Sequence, residues 1–425
     1  MILTNLFKKQ WILGCIAGAG MLTAGTGQAS AVELDLFKTL SVDSVFGNEC
    51  GDACGDTCGD TCTSTGCGSL FGGGDSGIDV GGWIQAGGQS DRETRFDLNF
   101  NDNNSRLVLN QSWLYAEKVA DGSSGTDFGF RIDAMYGSDA DDTQAFGNPA
   151  GSWDFDNGFD HGIYGFAIPQ LYAEVASGDW SVKIGHFYTL VGYEVVTAPG
   201  NFFYSHAYTM FNNEPFTHTG ALATYSASDN VDIYGGWTSG WDTGFDRLNG
   251  GSSFLGGASV GLGDNVTATA IITAGDLGLR GEGWSSSLVL DVVLTDDLNY
   301  VFQMDTVNTD AGGDAQLAIN QYLFYTINDK LSAGLRGEWW KTTNFNSNTS
   351  GDFLSDNSQS VGICEVTAGL NIKPLLETDC NGNTSGDWLT IRPEVRHDWS
   401  TGGDFIDGEA QINYTTLGTD VIITF

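Results

Sequence analysis

The chain has 425 residues, with 54 Asp and Glu against 17 Lys and Arg, a net charge of −37. That balance argues against nucleic acid as a partner, because phosphates are neutralised by Lys and Arg, and against docking on anionic lipid surfaces. Only 17% of residues are charged, while there are 60 Gly, 12 Trp, 14 Tyr and 25 Phe, a composition unlike that of a soluble enzyme and suited to many strands with apolar outer surfaces.

Residues 1–31 read as a secretory signal: Lys8 and Lys9 form the basic region, Trp11 to Thr23 the apolar region, and Ala29-Ser30-Ala31 a small-residue cleavage site before Val32. Ile12-Leu13-Gly14-Cys15 faintly resembles a lipoprotein box, but the apolar run continues past Cys15. No later run reaches the roughly 18 apolar residues that a membrane-crossing helix needs. An exported chain of this kind is either released or inserts as a barrel, the other fold that satisfies its own backbone in lipid.

Residues 32–76 form a leader with little to bury. Cys50, Cys54, Cys58 and Cys62 repeat every four residues among Gly and Asp, and Cys67 follows. Disulfide cross-linking, metal binding and an unpaired spacer are its three readings. Zinc sites usually combine separated turns and often use His, whereas an oxidising compartment favours disulfides. Seven cysteines remain after processing, so one is left free, joined to another chain or otherwise modified. Cys364 and Cys380, beside a polar stretch, are a candidate pair.

Residues 77–425 alternate with period two, the pattern of strands with unlike faces. Leu298, Tyr300, Phe302 and Met304 oppose Asn299, Val301, Gln303 and Asp305. Leu389, Ile391, Pro393, Val395 and His397 oppose Thr390, Arg392, Glu394, Arg396 and Asp398. About 16 strands (range 14–18) are predicted, many of them nine to twelve residues long. That length matches the roughly 9–11 residues of a membrane strand better than the roughly 5–6 of a globular one. The predicted fold is therefore all-β: one antiparallel transmembrane barrel. Asp229-Asn230, Gly263-Asp264-Asn265, Asp296-Asp297 and Asn328-Asp329 read as tight turns. Ser138 to Ile168, Lys341 to Ser360 and Glu377 to Asp387 read as the longer outer loops. The last strand alternates to a terminal Phe425, an insertion signal for the barrel assembly machinery.

In a barrel the charged phase faces a wet lumen. The pore-lining candidates are Arg131, Asp133, Glu174, Lys183, Asp291, Asp305, Arg336, Glu338, Arg392, Glu394, Arg396 and Asp398. Opposed charges across a pore orient polar solutes; mutual ion pairs stiffening the wall are the plainer reading, and both can hold. Leu190 to Glu214 carries more aromatics than an ordinary exposed loop. It is a candidate constriction folded into the barrel, with Glu194, Asn201 and Glu214 as its polar groups; an outer cap or a subunit contact is the alternative.

Other motifs carry less. Gly74-Asp75-Ser76-Gly77 matches a serine-protease nucleophile tetrad, but no His precedes position 161 to act as base. The five His show no metal spacing; His186 and His397 fall on the apolar phase, where interfacial packing is expected. Ser138 to Asp142 is acidic but lacks the calcium ligand ladder. No catalytic residue, metal or cofactor is expected.

The segments Gly82-Trp83-Ile84-Gln85-Ala86-Gly87, Leu109 to Lys118, Gly185-His186-Phe187-Tyr188, Gly192-Tyr193-Glu194-Val195, Pro199-Gly200-Asn201, Pro215 to Gly220 and Asp420 to Phe425 resemble the β-barrel porin (type 2) family of planctomycete-like outer-membrane proteins. The resemblance spans roughly Gly77 to Phe425 and leaves out the cysteine leader. It implies an outer-membrane porin through which small hydrophilic solutes or ions diffuse, with outer-membrane lipid around it. The acidic balance adds a weak cation preference, and analogy with general porins a homotrimer. The competing expectation is a secreted or envelope-structural β-rich protein cross-linked through its leader. A barrel enzyme would need a Ser–His–acid set at the rim, and none is convincing.

Overall fold

In a computed structural model of the chain, the described residues are 77–90, 105–246, 251–310, 315–345, 359–378, 384–402 and 413–425. The signal, the leader with Cys50, Cys54, Cys58, Cys62 and Cys67, residues 74–76 of the protease-like tetrad, and Cys380 lie outside them.

The strands are β1 (Asp79–Gln89), β2 (Leu107–Lys118), β3 (Thr126–Gly137), β4 (Gly165–Ala167), β5 (Leu171–Ser177), β6 (Trp180–Tyr188), β7 (Thr217–Ser228), β8 (Val231–Thr238), β9 (Ser252–Gly261) and β10 (Val266–Asp276). They continue with β11 (Glu282–Thr295), β12 (Leu298–Thr309), β13 (Ala315–Asn328), β14 (Leu331–Phe345), β15 (Gln359–Ile372), β16 (Glu377–Thr378), β17 (Thr384–Ser385), β18 (Leu389–Gly402) and β19 (Asn413–Thr424). Two short helices, α1 (Ala140–Thr143) and α2 (Tyr208–Asn213), lie in connections.

Seventeen of these strands make one sheet, sixteen apart from the three-residue β4. Each long strand pairs antiparallel with its neighbour in sequence, and β19 returns to β1 from Thr424↔Trp83 to Gly418↔Gln89. The barrel is therefore closed, with no edge left to pair with another chain. Phe425 and Gly82 exchange backbone hydrogen bonds at 2.9 Å at the seam.

Strand alternation sorts the side chains onto two surfaces. Ile184, Ile233, Leu335, Val395 and Leu417 face outward, the last 62% exposed. A soluble sandwich would pack such residues between its sheets; here they form a belt on the outside of a closed barrel, the surface that a membrane barrel turns to lipid. Trp180 stacks on Tyr225 at 4.6 Å close to the tight turns, and Tyr325 and Trp388 lie at the same end. Trp237, Phe254 and Trp284 mark the opposite end. Exposed aromatics thus stand at both ends of the barrel, where membrane barrels carry their girdles.

Two-residue turns join β5–β6, β7–β8, β11–β12 and β13–β14 at one end. Gly178 takes the left-handed φ of +56° that such hairpin turns use. The fourth turn is Asp329-Lys330, one residue later than predicted. One expectation is corrected: Glu377 to Asp387 is not an outer loop. Its described residues, 377–378 and 384–387, lie in the β15–β18 connection at the tight-turn end, where Thr378 Oγ1 donates to Asp329 Oδ2 at 2.9 Å and Lys373 N–H to Lys330 O at 2.9 Å. Its length and polarity resembled the outer loops, but counting strands fixes its end. Of Lys341 to Ser360, residues 341–345 and 359–360 belong to β14 and β15, and 346–358 lie outside the described residues.

The hydrophobic core lies inside the barrel. Inward Trp83 and Trp113 stack at 4.7 Å and pack with Met135 and Ile422 against Val196, Met210 and Phe216. A second cluster joins Phe203 to Val289, Val301 and Tyr322. The β6–β7 connection thus contributes to each of these clusters, through Val196, Ala198, Met210 and Phe216 in the first and Phe203 in the second.

Candidate functional site: a lumen held by its own wall

The connection from Thr189 to Phe216 leaves β6 and folds into the barrel. Its ends meet, Thr189 N–H donating to Phe216 O at 3.0 Å. Between them it contacts β1, β2, β11 to β15, β18 and β19 through side chains and backbone. Val191, Val196, Phe203, Met210 and Phe216 are each at most 4% exposed. Burial of each such side chain contributes about 1.5–3 kcal/mol, so docking has a large apolar term.

Backbone hydrogen-bonding groups inside this connection must be satisfied wherever water is excluded, and the charged wall satisfies them. Arg392 Nη1 donates to Ala198 O (2.9 Å) and Asn201 O (2.6 Å), and Arg336 Nη1 to Ser205 O (2.7 Å). Arg396 Nη1 donates to His206 O at 2.5 Å. Carboxylates serve the opposite polarity. Glu394 accepts from the amides of Tyr204 (2.9 Å) and Ser205 (3.1 Å). Glu338 accepts from those of Tyr208 (2.8 Å) and Thr209 (2.7 Å). The last two amides open α2 and have no partner within the helix. At its other end Arg280 donates to Asn212 O at 3.0 Å and Ser285 to Asn213 O at 2.7 Å.

The same charges pair along the wall. Arg392 meets Asp420 at 2.5 Å, Arg336 meets Glu365 at 3.1 Å, and Arg396 meets Asp398 at 2.8 Å. On β3, Arg131 meets Glu117 at 2.7 Å and Asp133 at 2.8 Å. Buried ion pairs offset their desolvation only when further hydrogen bonds complete the geometry; the inward connection supplies them for Arg336, Arg392 and Arg396, and Trp113 and Gln170 donate to Asp133.

The three polar candidates of the connection have distinct places. Glu194 bridges Arg336 (2.9 Å), His206 (3.2 Å) and the Ala207 amide (2.9 Å). Burial pushes its carboxyl up, but Arg336 and the His206 hydrogen bond outweigh it and hold the group at about 2. Asn201 works within the connection, donating to Val195 O (2.5 Å) and Thr197 O (3.0 Å). Glu214 shares the Gln303 amide with Asp305, at 2.6 and 3.0 Å. Burial, then the Asp305 carboxylate, raises the Glu214 carboxyl well above the usual range. Asp242, from the β8–β9 connection, accepts from the amides of Phe216 (2.7 Å) and Thr217 (2.8 Å), and burial pushes it up to about 7.

Of the twelve wall candidates, nine are buried: Arg131, Asp133, Asp291, Asp305, Arg336, Glu338, Arg392, Arg396 and Asp398. Glu174, Lys183 and Glu394 are half-buried. Lys183 and Glu174 are cross-strand partners near the tight-turn end, apart from the central cluster. The inward connection covers most of the group, and Arg336, Glu338, Arg392, Glu394 and Arg396 hold its backbone.

Sequence reasoning missed Glu117, Asp242, Arg280, Glu365 and Asp420. Glu365 and Asp420 share the inward phase of their strands, and Asp420 directly opposes Arg392 in register; strand phase could have found both. Asp242 and Arg280 sit in connections, where no periodicity points to them.

His186 lies on the outward phase of β6 but is buried, donating or accepting with Thr219 Oγ1 at 2.8 Å beneath the edge of Trp153. His397 stacks on Trp399 at 5.6 Å. Cys364 is buried and disulfide-bonded. Among the described residues no group of three or more His, Cys, Asp or Glu could hold a metal ion.

A closed barrel of sixteen long strands, apolar outside and with a charged wall around an inward-folded connection, is the architecture of outer-membrane porins. The chain belongs to the family described as putative beta-barrel porin-2, OmpL-like, whose family profile matches residues 77–425. Its fold is similar to the outer membrane channel DcaP of Acinetobacter baumannii, with a TM-score of 0.51 and 12% identity over 83% of this chain and 99% of that one. It is similar also to OmpT, an outer membrane protein of Vibrio cholerae, in its trimer form (TM-score 0.51, 10% identity, 82% and 99% covered). OprB of Pseudomonas putida gives a TM-score of 0.51 at 12% identity, with 82% and 94% covered. No curated protein sequence matches the chain.

Proposed function

We propose that this porin passes small hydrophilic solutes or ions by passive diffusion, with residues 189–216 as the constriction. The observation that carries the reading is the docking of that connection onto the inward charges of the barrel wall. Transport of this kind needs no covalent chemistry and no cofactor. A cation preference belongs to the proposal: among the described residues, twelve buried acids stand against five buried arginines, an excess that remains with Glu214 and Asp242 protonated, and an acidic lumen concentrates cations.

The rest of the proposal concerns export and assembly. The signal is removed near Ala31, the barrel assembly machinery reads the strand ending in Phe425, and outer-membrane lipid covers the apolar belt. Disulfides cross-link the leader cysteines, and the barrel forms a homotrimer. The trimer form of the Vibrio cholerae OmpT structure supports the last point.

The test is planar-bilayer recording of the purified full chain under a salt gradient. Stepwise current with a reversal potential on the cation side is expected. Absence of channels from folded protein overturns the diffusion reading, and reversal on the anion side overturns the selectivity.

A further inference from the structure

The constriction carries three consecutive aromatic residues, Phe202, Phe203 and Tyr204, and each rests where the wall has a glycine. A Cβ at Gly334 on β14 would lie 2.4 Å from Phe202 Cε1 and 2.7 Å from its Cδ1. One at Gly369 on β15 would lie 3.1 Å from Phe203 Cδ1. Tyr204 covers two glycines on the seam: a Cβ at Gly87 would lie 2.7 Å from its Cζ, and one at Gly418 3.2 Å from its Cδ1. All four occupy the inward phase of their strands, where any other residue would project into the lumen.

Glycine inside a strand weakens it and often marks close approach of another group. Four such positions meeting three successive rings form a matched surface. The rings also support one another: Phe202 and Phe203 lie 5.0 Å apart, and Phe202 lies 4.9 Å from wall residue Phe324. The flanking backbone is clamped by Glu394 and Arg392, so the ring positions have little freedom to slide.

We propose that Gly87, Gly334, Gly369 and Gly418 are positioning residues that seat the constriction, so that pore aperture is set by glycine notches in the wall as well as by its charges. This inference rests on residues 189–216 being the constriction. Filling a notch pushes its ring, and the chain behind it, off the wall. Removing the ring relieves the clash.

The decisive experiment is single-channel conductance of Gly334→Leu, Phe202→Ala and the double variant, with a chain in which a tight turn replaces 191–213 as reference. Position 334 is chosen because the three atoms nearest to its added Cβ all belong to Phe202. Gly334→Leu is expected to raise conductance toward that of the deletion, and adding Phe202→Ala to bring it back toward the wild type. Heat-modifiable migration in gels identifies folded barrels. If Gly334→Leu does not fold, Phe202→Ala with Phe203→Ala empties two notches without touching the wall and is expected to raise conductance. Wild-type conductance in these folded variants, beside a deletion that does conduct more, overturns the seating alone. Unchanged conductance in the deletion overturns the constriction, and the seating with it.

Discussion

Arg336→Met isolates the electrostatic half of the docking. Arg336 is fully buried and holds Glu194 of the inward connection at 2.9 Å and Glu365 of the neighbouring strand at 3.1 Å. The Glu194 carboxyl lies at about 2 against an ordinary 4.5. At about 1.4 kcal/mol per pH unit, its ionised form is favoured by about 3 kcal/mol. That value is the net of burial, Arg336, His206 and the Ala207 amide; removing one partner of a buried pair costs roughly 3–5 kcal/mol, which is of the same order. A loss of about 3 kcal/mol multiplies the undocked population by roughly a hundred. Barrel pairing, which is backbone hydrogen bonding, should persist. Single-channel traces of the variant are therefore expected to show frequent excursions to a larger conductance that the wild type rarely visits. The wild type should show the same loosening in acid. A carboxyl held below its ordinary value stabilises fully above about 4.5 and loses that contribution as pH falls toward about 2. Steady, wild-type current from a folded Arg336→Met barrel would refute the reasoning.

Three further outcomes follow from the same geometry. Glu214 is held well above the usual carboxylate range, so its protonated form stabilises docking at low pH, and that contribution is lost as pH rises through its folded value. Alkaline conditions should raise conductance in the wild type, and Glu214→Gln should flatten that dependence; an equal rise in both sinks the assignment. Glu338→Ala leaves the buried amides of Tyr208 and Thr209 without their acceptor, at about 1–3 kcal/mol each. Hydrogen exchange should quicken at α2 and stay unchanged in the strands, and uniform exchange would contradict it. Deleting Phe425 removes the backbone pair with Gly82 at the seam; the fraction of heat-modifiable barrel in outer membranes should fall, and full assembly would count against an insertion signal.

Period-two alternation made the fold legible, because a strand in a barrel wall must present unlike faces to lipid and lumen. Leu417 and Asp420 reveal their surfaces from sequence spacing alone. The aromatic run around Phe202 pointed to an unusual connection, since exposed loops do not carry such side chains without a surface to cover. What stayed hidden was the cover itself. Arg392, Glu394 and Arg396 look alike whether they line open water or hold a backbone, and only the path of residues 189–216 decides between the two. The pairing of Arg336 with Glu365 was hidden for a related reason: it is diagonal, Glu365 standing opposite Glu338 in register. Glu377 to Asp387 misled because polarity and length describe a loop without saying at which end of the barrel it lies.

The central claim is that a porin barrel is narrowed by a connection its own wall holds in place. The most direct measurement is the single-channel conductance of the wild type beside that of the chain in which a tight turn replaces residues 191–213. The account predicts discrete channels from both and a clearly larger conductance from the shortened chain. Equal conductance, or a protein that stays soluble without detergent and forms no channel, would contradict it.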